Sequence, residues 1–170
     1  FTDMVGSTDL TQSIGDAAAQ NIIRAHNHIV RGALAAHRGK EVKHTGDGIM
    51  ASFDQPADAV AAAVEIQHKA ADHTSRWPTE PLLLRVGMNT GEPIIEENDY
   101  FGATVQIAAR VCASAGPGQV WLSEDTFGSL SENSVSHIHS HGRQQLKGVQ
   151  EEIGLYEVAW DPVRRDRLAA

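Results

Sequence analysis

The sequence predicts an α/β or α+β sandwich, in which helices pack on one sheet. Segments typical of strand, helix, hairpin, helix, strand and helix follow one another along the 170 residues. Hydrophobic residues make up 41% of the chain and charged residues 21%, so one globular domain with a sizeable core is expected. We expect residues 1–160 to form that domain and residues 161–170 to be a charged tail.

The opening stretch predicts a short strand that ends in a polar turn. Asp3 follows two strand-compatible residues, and the turn Gly6-Ser7-Thr8 comes next. The backbone amides of such a turn are free to face an anion at the start of a helix. Over Asp16–His37, apolar residues recur at spacings of three and four, which indicates one face of an amphipathic helix.

A tight hairpin is predicted after this helix. Its strands are Glu41–Lys43 and Ile49–Phe53, and the glycines between them let the backbone turn and present Asp47 at the tip. Asp54 is predicted to cap the next helix, which runs to about Asp72.

The second half of the chain predicts more strands around one longer helix. Leu82–Asn89 is typical of a strand, Ile94–Glu96 is expected to pair with it, and Asn98–Phe101 is expected to be a loop. Ala103–Ala115 has a helical pattern that stops at a Gly-Pro pair. The remaining predicted elements are a brief helix capped by Ser123 and the strands Gln119–Leu122, Val135–Leu146 and Glu152–Val158.

Composition narrows the classes of function. The formal net charge of −8 argues against broad binding to nucleic acid or to an anionic membrane, so a small partner is expected. Cys112 is the single cysteine, which excludes an internal disulfide. The sequence has no signal peptide and no long apolar run, so we expect a cytoplasmic domain. It opens without a methionine, and we expect it to be cut from a longer protein, which could be tethered to a membrane.

Asp3 and Asp47 are the first candidates for a functional site. A strand and a hairpin that lie side by side would bring these two carboxylates together. Hard oxygen ligands without a His or Cys partner suit Mg²⁺ or Mn²⁺, which leave room for water and substrate phosphates. Spacing alone leaves open the alternative that both are unrelated turn or cap residues, because Asp is common in both roles.

Six ordered blocks of sequence resemble a known family. They are FTDMVGST, KHTGDGIMASF, RVGMNTGE, DYFGATVQIAAR, GQVWLSE and LKG, and the resemblance extends from Phe1 to about Val158. Together they resemble the catalytic domain of class III nucleotidyl cyclases, more closely the bacterial, mycobacterial-like adenylyl cyclases. The resemblance implies a ferredoxin-like βαββαβ core with a mainly antiparallel sheet. It also implies a head-to-tail homodimer that converts ATP to 3′,5′-cyclic AMP and pyrophosphate.

The resemblance implies a metal and phosphate half of the site. Asp3 and Asp47 match the family's two metal-binding aspartates, and the carbonyl of Met4 matches a further ligand of two Mg²⁺ or Mn²⁺ ions. The turn Gly6-Ser7-Thr8 matches the one whose amides hold the terminal phosphates. One ion is expected to lower the pKa of the ribose 3′-hydroxyl, and the other to neutralise the triphosphate.

The second half of the site is implied to come from the other protomer. Lys43 and Asp99 match the pair that reads the purine, because adenine offers an acceptor at N1 and an amino donor at N6. Arg110 matches the arginine that binds the α-phosphate in the transition state, and Lys147 matches a lysine at the terminal phosphates. Gln106 replaces the family's ribose-orienting asparagine with a side chain one methylene longer, which predicts slower turnover.

Other interpretations of these residues stay open at this point. Taken alone, Asp99 is typical of a loop corner, and Lys43, Arg110 and Lys147 are typical of surface charges. The main alternative to an active adenylyl cyclase is a weak or inert domain that binds a nucleotide or dimerises for regulation, and Gln106 favours it. A guanylyl cyclase is a third possibility.

Overall fold

The computed structural model describes residues 1–131 and 137–169, without the side chains of Thr8, Asp9, Leu10 and Ala169. Helices and strands alternate through this part of the chain. In chain order the elements are β1 (Thr2–Met4), α1 (Ser7–Ile14), α2 (Asp16–Ala36), β2 (Lys40–His44), β3 (Ile49–Ser52), α3 (Pro56–Arg76), β4 (Leu84–Met88), β5 (Ile94–Glu96), β6 (Asp99–Phe101), α4 (Ala103–Ser114), β7 (Val120–Ser123), α5 (Glu124–Gly128), β8 (Ile138–Gln145), β9 (Glu152–Val158) and α6 (Pro162–Ala169).

A five-stranded sheet in the order β1-β4-β7-β9-β8 forms the centre of the molecule. The strands β4 and β7 pair in parallel, and the other neighbours in this sheet pair antiparallel. Helices cover the sheet, so the described chain has the α+β class and the mainly antiparallel sheet that the sequence predicts.

Strand β4 separates two apolar clusters. Val86 packs in the larger cluster, which joins the sheet to α2 and α3. Position 87 faces the opposite side of the sheet, because successive positions of a strand alternate between its faces. On that side Gly87 packs against α4. A Cβ on Gly87 would lie 2.1 Å from the backbone nitrogen of Cys112, so glycine is required for α4 to pack this closely. Val111 and Trp121 belong to the smaller cluster on that face.

The predicted hairpin with Asp47 at its turn is present as β2 and β3. These two strands form a separate two-stranded sheet, so the hairpin lies beside β1 without extending the central ladder.

Two expectations about the region after β4 are wrong. Ile94–Glu96 does not pair with β4, because it pairs antiparallel with Asp99–Phe101. The segment Asn98–Phe101, predicted as a loop, is mostly strand β6. Glu97 and Asn98 form the two-residue turn with φ of 49° and 66°, a conformation typical of type I′ hairpins. A glutamate in a left-handed conformation is uncommon, which is why the sequence pattern concealed this turn.

Three smaller differences concern the ends of elements. Asp54 does not cap α3, since the residue before its first turn is Gln55, which makes no side-chain cap. Part of the predicted strand Val135–Leu146 lies outside the described residues, which omit 132–136. The segment predicted as a charged tail contains α6, and Arg164 of this helix contacts the buried Glu157, with 3.0 Å between Nη1 and Oε1. In the part of the chain that the structure describes, no helix is long and apolar enough to cross a membrane.

Candidate active site

Backbone contacts bring the two predicted metal-binding aspartates together. Asp3 lies on β1, and the amide of the next residue, Met4, donates to the carbonyl of Asp47 over 3.1 Å. Ser7, at the start of α1, donates from Oγ to the Asp47 carboxylate over 2.7 Å. The strand, the helix start and the hairpin turn therefore meet at one place, as the side-by-side arrangement of strand and hairpin predicts.

Gly48 allows this close approach. A Cβ at position 48 would lie 2.1 Å from the carbonyl oxygen of Thr2, so any larger residue would push the hairpin away from β1. The amide of Ile49 donates to the Thr2 hydroxyl over 3.0 Å, which adds a second connection on the other side of the glycine. The spacing of Asp3 and Asp47 thus depends on a glycine whose importance the sequence pattern did not reveal.

The start of α1 supplies the predicted phosphate turn. Gly6 adopts a left-handed conformation with φ of 72° and precedes the first helical residue, Ser7, and no side chain caps this helix end. The first amides of a helix have no partner within the helix, so they are available to an anion. Thr8 lies in this first turn, but its side chain is outside the described part of the structure.

Arg85 contacts the candidate residue Asp3, although no sequence pattern singles it out. It stands opposite Asp3 in the pairing of β1 with β4, and both its Nε and Nη2 donate to Asp3 Oδ2, the first over 2.7 Å. Its Nη1 donates to the carbonyl of Ala113 at the end of α4 over 3.0 Å. The signal for this contact was the arginine that opens the block RVGMNTGE, but its partner is defined only by the strand register.

The predicted purine-reading pair is assembled within one chain. Lys43 Nζ, on β2, lies 2.5 Å from Asp99 Oδ2, on β6, and the two side chains are 43% and 29% exposed. The amide of Tyr100 donates to the other oxygen of Asp99 over 2.8 Å. Both contacts, Lys43 first, hold the pKa of the Asp99 carboxyl below its ordinary value. Phe101 lies beneath the ammonium, with 5.6 Å between Nζ and the ring centroid.

The remaining predicted residues lie on exposed surface. Gln106 and Arg110 are one turn apart on α4, and both are exposed. Lys147 is exposed in the turn between β8 and β9. Within the described ranges, no hydrogen bond or ion pair joins any of these three side chains to Asp3, Asp47, Lys43 or Asp99. A single chain therefore presents separate groups of candidate residues.

The donor set near Asp3 and Asp47 fits a hard divalent cation. Both aspartates offer only oxygen, which is the ligand type that Mg²⁺ and Mn²⁺ prefer. No group of three or more His, Cys, Asp or Glu side chains suited to a metal occurs within residues 1–131 and 137–169. The other ligand positions would fall to backbone carbonyls, water and a bound phosphate. A cation at Asp3 would also compete with the Arg85 guanidinium.

A cavity of about 370 Å³ lies between the central sheet, β3, α3 and the start of α4. Its lining is largely apolar and includes Val86, Met88 and Tyr100, but it contains none of the predicted site residues. The candidate site is instead formed by half-buried and exposed side chains at the ends of strands and on one helix face.

Comparison with known proteins gives the same identification along almost the whole chain. A family model described as the adenylate and guanylate cyclase catalytic domain matches residues 1–159. The chain is 26% identical over 166 residues to a putative adenylate cyclase 3 of Rhizobium meliloti, covering 97% of this chain and 28% of that protein. It is 31% identical over 166 residues to an uncharacterized protein of Mycobacterium tuberculosis, covering 98% and 42% respectively. The chain therefore spans less than half the length of these two relatives.

A solved structure gives an independent likeness. An adenylate cyclase of Trypanosoma brucei, described in its monomeric state, matches with a TM-score of 0.83 and 24% identity. The match covers 96% of this chain and 87% of that one. At this level of identity the likeness shows the fold alone.

Proposed function

This chain belongs to the family of adenylate and guanylate cyclase catalytic domains, and from that premise we propose that it is an adenylyl cyclase domain. It would convert ATP to 3′,5′-cyclic AMP and pyrophosphate with two divalent ions, in sites shared between two copies of the chain. The observation that carries the choice of ATP is the ion pair between Lys43 and Asp99, 2.5 Å apart across two separate strands.

Lys43 and Asp99 present a donor and an acceptor side by side. The Lys43 ammonium can donate to N1 of adenine, and the Asp99 carboxylate can accept from the N6 amino group. Guanine carries a carbonyl oxygen in place of that amino group, and a carboxylate repels it. An aspartate with its ordinary pKa is already ionised at neutral pH, and Lys43 and the Tyr100 amide lower the pKa of Asp99 further, so a charged carboxylate faces the base and favours adenine.

Asp3 and Asp47 are proposed to hold the ions, together with the carbonyl of Met4. Bound there, two divalent ions would assist deprotonation of the ribose 3′-hydroxyl and balance the charge of the triphosphate. Ser7 orients the Asp47 carboxylate through its hydroxyl, with 2.7 Å between the oxygens. The amides of the turn Gly6-Ser7-Thr8, at a helix start that no side chain caps, would bind the terminal phosphates, and Arg85 adds a positive charge beside Asp3.

Arg110, Gln106 and Lys147 are proposed to complete the site from a second chain, which also supplies Lys43 and Asp99. Their side chains are exposed, and within the described residues they make no hydrogen bond or ion pair to Asp3 or Asp47 of their own chain, which supports a shared site. Arg110 would stabilise charge that builds on the α-phosphate, a type of contact whose removal costs about 3–4 kcal/mol of barrier. Gln106 would position the ribose, and Lys147 would bind the terminal phosphates.

A direct assay of cyclic nucleotide formation tests this proposal. With Mn²⁺ and ATP we expect cyclic AMP and pyrophosphate, and with GTP we expect a kcat/KM lower by at least about tenfold. Chelating the metal with EDTA should abolish turnover. The variant Asp47→Ala serves as the background.

Two results would contradict the proposal, each in its own way. Cyclic AMP no higher than the Asp47→Ala background would favour an inert regulatory domain. A kcat/KM for GTP equal to or above that for ATP would identify a guanylyl cyclase instead. The longer side chain of Gln106 predicts slow turnover with normal product chemistry, so Gln106→Asn should raise kcat without changing the product.

A further inference from the structure

A histidine outside the proposed substrate contacts lies buried beneath the aspartate pair. His26, on α2, has no exposed surface. Its Nε2 lies 3.0 Å from the hydroxyl of Thr2, the residue before Asp3, and its Nδ1 lies 2.9 Å from Oδ1 of Asn27. A buried imidazole with two specific partners is held in one orientation, because breaking either contact leaves a polar atom unsatisfied.

The same Asn27 oxygen extends the contacts to the hairpin. His44, at the end of β2, places Nε2 at 3.0 Å from Asn27 Oδ1. The Nδ1 of His44 accepts from the amide of Gly46 over 3.2 Å, and Gly46 is the residue before Asp47. Hydrogen bonds therefore run from β1 through α2 to the turn of the hairpin.

Every hydrogen bond of this network can be assigned one donor and one acceptor without conflict. The Thr2 hydroxyl accepts from the amide of Ile49 over 3.0 Å, so its own proton is free for His26 Nε2. His26 then carries its proton on Nδ1 and donates to Asn27, which also accepts from His44. This pattern requires neutral His26, and burial lowers the pKa of His26 below its ordinary value, which fits.

We propose that His26 and Asn27 are positioning residues for the cation site at Asp3 and Asp47. The inference rests on the proposed function of the two aspartates. One end of the network is attached to Thr2, next to Asp3, and the other to Gly46, next to Asp47. The bond between His26 and Thr2 is buried and anchors the network rigidly, and the exposed bonds of His44 extend it to the hairpin, so the network restrains the distance between the two carboxylates. Neither His26 nor Asn27 is among the residues proposed above to contact the substrate.

The alternative is that His26 and Asn27 only stabilise the fold. Metal binding separates the two roles, because outer contacts that orient metal ligands change affinity by about 10- to 100-fold when removed. Asn27 is the better position for a test, since it is half-buried on a helix and alanine favours helices. Asn27→Ala removes the shared acceptor, and Asn27→Asp keeps an oxygen in its place. Asn21→Ala is a matched control, because Asn21 lies on the same helix and contacts only the exposed Arg24 in the described structure.

The experiment measures Mn²⁺ binding by electron paramagnetic resonance, using the full chain with a non-hydrolysable ATP analogue. We expect the Mn²⁺ dissociation constant to rise by about tenfold in Asn27→Ala. In Asn27→Asp and Asn21→Ala it should stay within about twofold of wild type. Thermal unfolding of each variant is measured in the absence of metal, and nitrogen NMR of His26 should show the proton on Nδ1.

Each other outcome overturns a defined part of the inference. If Asn27→Ala melts earlier but binds Mn²⁺ as wild type does, the residue is structural only. If Asn27→Asp loses as much affinity as Asn27→Ala, the acceptor oxygen is not what matters. Asp47→Ala is titrated with Mn²⁺ in the same way. If it binds Mn²⁺ as tightly as wild type, the proposed metal site is wrong, and the positioning role is refuted with it. If Asp47→Ala loses Mn²⁺ while Asn27→Ala keeps it, the positioning role alone is refuted.

Discussion

Asp99 is held in one orientation before any nucleotide binds. Lys43 contacts one of its oxygens and the Tyr100 amide contacts the other, and both contacts favour the ionised form. Because the pKa of Asp99 is lowered, the charge is retained as pH falls through the ordinary aspartate range and is lost only in stronger acid. The expected choice between adenine and guanine therefore depends on a fixed charge.

Replacing Asp99 with Asn tests this charge with little change of shape. A hydrogen bond to a charged group contributes about 1.5–3 kcal/mol, so we expect kcat/KM for ATP to fall by about 10- to 100-fold. The value for GTP should fall much less, because the repulsion of its carbonyl oxygen is also removed. Initial rates with each nucleotide at saturating Mn²⁺ give the ratio.

Glu41→Gln is the matched control for this measurement. Glu41 also lies on β2 and pairs with Arg31, with 2.7 Å between Nε and Oε2, but away from Asp99. An exposed pair of this kind contributes little to stability, so both rates should be unchanged. An ATP to GTP ratio in Asp99→Asn equal to that of wild type would contradict the assigned role.

The sequence predicts this pair only through the resemblance of KHTGDGIMASF and DYFGATVQIAAR to a known family. From local pattern alone Asp99 was typical of a loop corner. Arg85 was missed for a related reason: an arginine in a strand gives no sign of its partner until the strand register places Asp3 opposite it. Side-chain pairs between distant strands depend on register, which the local sequence does not define.

Among the elements, β1 and the hairpin of β2 and β3 are the pair on which the site depends. They belong to different sheets, and they meet through the Met4 amide, the Thr2 hydroxyl and the close contact at Gly48. This interface sets the separation of Asp3 and Asp47. A small displacement of the hairpin is therefore expected to weaken both the proposed cation binding and the fold.

Gly48→Ala tests the interface between these elements. The added Cβ would lie 2.1 Å from the Thr2 carbonyl, so the hairpin must move, and such overpacking costs about 1–3 kcal/mol. We expect the free energy of unfolding in urea to fall by that amount and the Mn²⁺ half-saturation in the cyclase assay to rise by at least about threefold.

Gly128→Ala is the control, because a Cβ at the end of α5 meets nothing within 4 Å. It should leave both the free energy of unfolding and the Mn²⁺ half-saturation near wild type. Equal values for Gly48→Ala and wild type would show that the hairpin and β1 are not closely packed in solution.

The short hairpin of β5 and β6 shows why some elements could not be predicted. Its strands have three residues each, and Ile94 and Ile95 are both exposed, so no alternation of buried and exposed residues marks them. The turn uses Glu97 where glycine or asparagine is usual. By contrast, the long helices α2 and α3 follow from their regular apolar spacing, and only their ends were misplaced.

For the molecule as a whole, charge and surface exposure favour a site completed by a second copy. The net charge of −8 would repel a triphosphate, so binding needs local positive charge near the aspartates. Arg85 supplies one such charge, and Lys43, Arg110 and Lys147 lie elsewhere on the surface. A two-fold dimer would place Lys43, Arg110 and Lys147 of each chain against the aspartates of the other chain, which gives two equivalent sites.

Mixing two inactive variants tests the shared site. Asp47→Ala and Arg110→Ala should each lose at least about 100-fold in kcat alone. If protomers exchange, a heterodimer keeps one intact site, so an equal mixture should recover roughly a quarter of wild-type activity. Cyclic AMP formation is measured after coexpression or after refolding of the mixed chains.

Asp3→Ala mixed with Asp47→Ala is the matched control, because both substitutions damage the same half of the site. That mixture should stay inactive. Stable mixed dimers of Asp47→Ala and Arg110→Ala without recovered activity would rule out the shared site and favour a site formed within one chain.

The sequence by itself determined the α+β class, the long helices, the hairpin around Asp47 and the family, because periodic apolar spacing, glycines at turns and ordered blocks are local properties. Only the tertiary structure decided that β5 pairs with β6, that Arg85 holds Asp3, and that His26 and Asn27 connect the segments of both aspartates. These features depend on register and on the packing of residues far apart in the chain, and a local pattern carries no information on either.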